Sequence, residues 1–108
     1  MNAAGIYEWR IDGAGVYIGK AKCLRKRIRA YPNNVRRMMN GRPWHGNHAK
    51  DYRPIHHALR QAYVSNAVVS VAVLEVCDPA ERAARERFWI AMRVQEHLSG
   101  GPCVLNVI

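Results

Sequence analysis

Two tyrosines open the chain in "GIYEWRIDGAGVYIG" (residues 5–19), at positions 7 and 17. A phenol hydroxyl donates and accepts hydrogen bonds, but its ordinary pKa of about 10 makes it a poor base alone. Two such hydroxyls held on neighbouring backbone orient a water or a phosphate with little entropy left to lose. A third group is Glu86. In "DPAERAARERFWIAMRVQEHL" it falls at the edge of the apolar side of a helix, beside Ile90. A carboxylate there is half-desolvated and needs a cation, either an arginine or a metal. Arg82 and Arg93 on the same helix offer the plainer pairing. A fourth is Asn106, the lone polar residue of "CVLNVI", placed to tie down the terminal backbone or to serve a site.

These groups need elements to carry them. Residues 5–10 and 15–20 read as two short strands, and "IDGAG" supplies the glycines of a tight hairpin. Alternation gives each tyrosine one face of its strand, so a suitable register makes the hydroxyls neighbours. "KCLRKRIRAY" (22–31) has Leu24 and Ile28 four apart and reads as a short amphipathic helix stopped by Pro32. Residues 32–53 show no clear period and read as a basic loop, with room for one helical turn around 33–39. Pro54 opens a helix whose buried stripe is Ile55, Leu59 and Ala62 or Tyr63, ending at Ser65-Asn66.

"AVVSVAVLEV" (67–76) is almost wholly apolar, the pattern of a central strand covered on both faces. Asp78 caps the last helix, with Pro79 at its first position and Glu81 three residues beyond the cap. That helix runs to about Leu98 and stops at Ser99-Gly100-Gly101-Pro102. Its periodicity places Ala83, Ala84, Ile90, Ala91, Val94 and Leu98 on the buried side, with Arg87 near the middle as a snorkelling stem. "CVLNVI" reads as a short extended tail. The order β-β-α-α-β-α predicts one α/β domain over 1–108, a small three-stranded antiparallel sheet flanked by helices.

Composition narrows the partners. Lys and Arg number 17 against 8 Asp and Glu, for a net charge of +9. The excess is mostly arginine, whose planar fork matches phosphate and points to nucleic acid. No apolar run is long enough to cross a bilayer, and the start lacks a secretory pattern, so an intracellular, non-membrane protein is expected. Cys23, Cys77 and Cys103 lie far apart with no CxxC pair, which argues against a disulfide framework or a zinc site.

Taken in order, the two tripeptides, the hairpin, the "AKCLRKRI" helix after YIG, the string Arg85-Glu86-Arg87-Phe88-Trp89-Ile90 and the closing Asn106 resemble the GIY-YIG nuclease family. The likeness runs from residue 5 to 106. It implies an endonuclease that hydrolyses phosphodiester bonds in DNA with one divalent metal, Mg²⁺ or Mn²⁺. By position, Gly5 and Gly19 match the motif glycines, Tyr7 and Tyr17 the motif tyrosines and Arg27 the helix arginine. Glu86 matches the metal-binding glutamate and Asn106 the terminal asparagine. In that scheme Tyr7 takes or relays a proton from the attacking water, Tyr17 orients water or phosphate, and Arg27 neutralises charge on the phosphoryl oxygens. Relatives also carry a histidine or a further tyrosine before the third strand. His45, His48, His56 and His57 compete for that place, with His57 or His56 favoured.

Homing and repair members join this module to separate DNA-binding domains. Here targeting is expected from Arg36, Arg37, Arg42, Trp44, Lys50 and Arg53 of the 32–53 segment, supported by Arg25 and Arg29, or from a homodimer or a partner protein. The competing reading is a catalytically weak nucleic-acid-binding module of the same fold, acting with a partner protein.

Overall fold

Gly13 and Gly15 take φ of 81° and 137°, angles that residues with a Cβ rarely adopt. They turn the chain between β1 (Gly5–Ile11) and β2 (Gly15–Ala21). Tyr7 lies opposite Gly19 and Trp9 opposite Tyr17, so both tyrosines share one face of the hairpin. β3 (Val69–Val76) pairs antiparallel with the other side of β1, giving the order β2-β1-β3. The structure, a computed structural model, describes residues 3–39 and 54–107. It shows the expected α/β fold, a three-stranded antiparallel sheet with three helices: α1 (Leu24–Met39), α2 (Pro54–Ser65) and α3 (Arg82–Leu98). Among the described residues no helix is long and apolar enough to cross a membrane.

One face of the sheet carries the apolar core. Tyr7, Trp9 and Ile11 of β1 meet Leu24, Tyr31 and Val35 of α1, Ile55, Leu59 and Ala62 of α2, and Leu105. The spacing of Leu24, Ile28, Tyr31 and Val35 explains why α1 does not stop at Pro32, as its sequence suggests, but runs on to Met39. Proline removes the amide that would bond the Ile28 carbonyl, a cost of about 3 kcal/mol in a helix interior. Pro32 itself is exposed, and Tyr31 and Val35 on either side of it are buried against the sheet, which offsets that cost.

The third strand is also placed differently from its sequence reading. An apolar run suggests burial on both faces, but β1 holds the centre and β3 is an edge. Val69, Val71, Val73 and Val76 are all exposed. The last helix departs as well. Asp78 caps as expected, its carboxylate accepting from the Ala80 amide at 2.9 Å, but it caps a 3-10 turn (Pro79–Glu81) that leads into α3. No residue of α3 is buried; Ala83, Ala84, Ala91, Leu98 and Arg87 face solvent, and only Ile90 and Val94 of the expected stripe are half-covered. The helix instead meets the sheet through ion pairs. Arg93 reaches Glu8 of β1 at 2.5 Å, Arg85 reaches Glu75 of β3 at 2.8 Å, and Lys20 of β2 reaches Glu86 at 3.3 Å. A stripe counted from apolar side chains alone misses a helix seated by charge.

Candidate active site

Tyr7 stands at the centre of the apolar face, 1% exposed, with its ring lying over Gly19 of β2. A Cβ at position 19 would land on the phenol carbon and oxygen of Tyr7, so the glycine of YIG is a slot for the tyrosine of GIY. The Tyr7 hydroxyl meets the Tyr31 hydroxyl at 2.5 Å. Tyr31 packs edge-on against Tyr7 and Trp9, with ring centres 5.8 and 5.4 Å away, and lies beside the His56 ring at 5.4 Å. Burial pushes the Tyr7 hydroxyl above its ordinary pKa, against the hydrogen bond to Tyr31 and the nearby Arg27 guanidinium. Burial raises Tyr31 further, and its neighbour Tyr7 adds to the rise. Both phenols are therefore protonated at neutral pH and able to pass a proton rather than hold a charge.

Arg27 reaches this cluster from α1. Burial opposes its charge, but contact with the Tyr7 hydroxyl prevails and holds the guanidinium firmly protonated. Its Nε is buried without a hydrogen-bond partner among the described residues. A buried, unpaired guanidinium donor costs free energy until an acceptor arrives, and a phosphate oxygen is the acceptor its fork fits.

Glu86 comes from the opposite face of the sheet. It projects from α3 past β2, where Lys20 holds it. A cleft of about 610 Å³ wraps this free part of β2, lined by Tyr7, Tyr17, Gly19 and Arg27 from one side and Lys20, Arg82 and Glu86 from the other. Tyr17 is half-buried there, so it is the more accessible of the two motif tyrosines. Glu86 is the one carboxylate in the lining, and no group of three or more His, Cys, Asp or Glu stands together among the described residues. Its carboxylate is one-fifth exposed and already attracts a cation, the Lys20 ammonium. That suits a divalent ion completed by water and substrate oxygens rather than a closed protein cage.

Asn106 does not enter the cleft lining. Its Oδ1 accepts from the Ile18 amide at 2.8 Å and its Nδ2 donates to the Ile18 carbonyl at 2.7 Å. One side-chain amide thus replaces a neighbouring strand on the open edge of β2, just beyond the parallel bridge between Val16 and Val104. It positions the backbone between Tyr17 and Gly19.

The histidine reading changes. His57 is exposed on α2, whereas His56 is 2% exposed and lies against Tyr31. Arg25 and Arg29 are exposed on α1. Arg36 and Arg37 fall on the last turns of α1, and His45, His48, Arg42, Trp44, Lys50 and Arg53 lie outside the described residues. Sequence reasoning missed Tyr31, although it sits one helical turn after Arg27 and so on the same face. It also missed Lys20, which follows YIG and alternates to the α3 side, and Glu8, buried between Arg10 and Arg93.

Comparison of the chain with protein families, characterised proteins and solved structures finds no match.

Proposed function

We propose that the protein is a divalent-metal-dependent endonuclease of the GIY-YIG kind, hydrolysing phosphodiester bonds in DNA. The observation that carries this reading is the cleft across β2, where two tyrosines, a partnerless arginine Nε and a lone carboxylate converge from four elements. In this reading Arg27 binds the scissile phosphate and balances charge building on its oxygens. Tyr17, open to the cleft, orients the attacking water. Tyr7, its hydroxyl held neutral by burial and bonded to Tyr31, orients the water with Tyr17, and the water's proton leaves to solvent through the open cleft. Glu86 would hold the metal, its carboxylate now paired with the Lys20 ammonium. A bound Mg²⁺ would supply Lewis-acid stabilisation of the phosphate and a water acidified toward neutral pH. The basic rim of Lys22, Lys26 and Arg82 tracks the backbone on either side.

Supercoiled plasmid incubated with wild type and Glu86→Ala in Mg²⁺, Mn²⁺ and EDTA tests the reading. Metal-dependent nicking by wild type, absent in the variant while DNA binding persists, is the expected result. Arg27→Ala should cut about 10²–10³-fold more slowly, the loss typical of removing one oxyanion partner. Binding without product in either metal would replace the enzyme with a binding module. Unchanged cutting by Glu86→Ala would remove Glu86 from the site.

A further inference from the structure

Ten large apolar residues are exposed among the described residues, and nine of them gather along β3 and the two helices beside it. Val69, Val71, Val73 and Val76 lie on the strand, and Val68 just before it. Tyr63 and Val64, 70% and 59% exposed, end α2 on one face of the sheet. Phe88 and Met92 of α3 flank the other face, next along the helix surface from Arg85 and Trp89, which both bond Glu75 of β3. The outer edge of β3 pairs with no described residue, so its amides and carbonyls face outward beside this strip. Such an edge is a ready template for another extended strand.

Charge identifies which strand. The chain carries 17 Lys and Arg, yet residues 61–81, "QAYVSNAVVSVAVLEVCDPAE", contain none. A polyanion or an acidic partner gains nothing on that surface. Two copies of a molecule with net charge +9 repel one another everywhere except where cations are missing. The strand is also self-complementary. Paired antiparallel about Val71, it sets Val69 against Val73 and Ser70 against Ala72, with the carboxylate of Glu75 outside the register. No like charges face each other.

We propose that β3 is the interface for a second copy of this chain, which joins two three-stranded sheets into one of six strands, β2-β1-β3-β3-β1-β2. The two-fold axis crosses Val71 and stands perpendicular to the sheet, so the two β2 clefts lie at opposite outer edges of the joined sheet. Five strand spacings of about 4.8 Å separate the two β2 strands, roughly 24 Å, a span comparable to a DNA duplex.

Sedimentation and cross-linking test the interface independently of any activity. Wild type should sediment as a dimer and Val71→Lys as a monomer with an unchanged circular-dichroism spectrum. Val71→Cys should form a disulfide-linked dimer under mild oxidation, because residues opposed across an antiparallel pair lie within disulfide range. Leu98→Cys, exposed at the end of α3 and outside the paired strand, should not, and wild type controls for Cys23, Cys77 and Cys103. A wild type that stays monomeric at every concentration, a Val71→Lys protein that stays dimeric, or a Val71→Cys protein that fails to cross-link would each overturn the proposal.

Discussion

The two faces of the sheet solve the same problem with different chemistry. Under α1 and α2, burial is aromatic and aliphatic, and a polar contact at its centre joins two neutral hydroxyls, Tyr7 and Tyr31. Under α3, Ile6, Val16 and Ile18 are buried on the strands, but the helix returns arginines and a glutamate. Apolar contact is tolerant of rotation and sliding, whereas an ion pair fixes an azimuth. Three pairs to three different strands, Glu86 to β2, Arg93 to β1 and Arg85 to β3, set the roll of α3 and thereby aim Glu86 at the cleft. The apolar face supplies stability around the tyrosines; the ionic face supplies the position of the carboxylate.

Breaking the ionic face at its most buried point should have the largest effect. Arg93→Ala leaves Glu8, 3% exposed, with Arg10 alone, and should cost about 3 kcal/mol in urea unfolding, the low end for a broken buried pair. Replacing Glu8 and Arg93 together by leucine should return stability to within about 1 kcal/mol of wild type, since apolar substitutes for a buried pair are often neutral. If the double variant is as unstable as the single, the face is not held by charge in the way described.

The apolar face is probed by removing one hydroxyl. Tyr31→Phe removes one of the two partners of the buried Tyr7 hydroxyl, leaving Arg27, and should destabilise by about 1 kcal/mol, read by thermal unfolding with far-ultraviolet circular dichroism unchanged. An unaffected melting temperature would mean that the Tyr7 hydroxyl is satisfied elsewhere.

The smallest effect lies at the rim and is one of pH. Hydrogen bonds from Arg85 and Trp89 hold the Glu75 carboxyl below its ordinary pKa of 4.5. A carboxylate with a depressed folded pKa contributes stability above its unfolded value, and that contribution disappears as pH falls through the folded one. Stability of wild type should therefore decline below pH 4.5, and Glu75→Gln should lose that part of the decline. The apolar face has no counterpart, so an identical acid limb in the variant would assign it to other groups.

The hairpin, α2 and the start of the last helix were legible in the sequence because alternation, a cap and a glycine turn are local signals. Pro32 was not, because what carries α1 past it is burial of Tyr31 and Val35 against strands distant in sequence. β3 misled because apolar content reports that a strand meets something, not whether the partner lies in the same chain. The site divides in the same way. Tyr7, Tyr17, Arg27 and Glu86 meet at one cleft as their order along the chain implied. Two adjacent histidines on α2 differ in exposure only through the rotation of that helix on the core, which buries His56 and leaves His57 in solvent. Tyr31 went unread because α1 was ended one residue after it.

The Asn106 clamp has a consequence for biosynthesis. Its two hydrogen bonds to Ile18 span 88 residues of sequence. The ribosome delivers the hairpin with both tyrosines early, yet the amide that closes the free edge between Tyr17 and Gly19 emerges almost a full chain later. Glu86 also follows long after the strands it faces. A nascent chain therefore exposes the strands that carry both tyrosines before the cleft has its carboxylate or the amide that closes its edge.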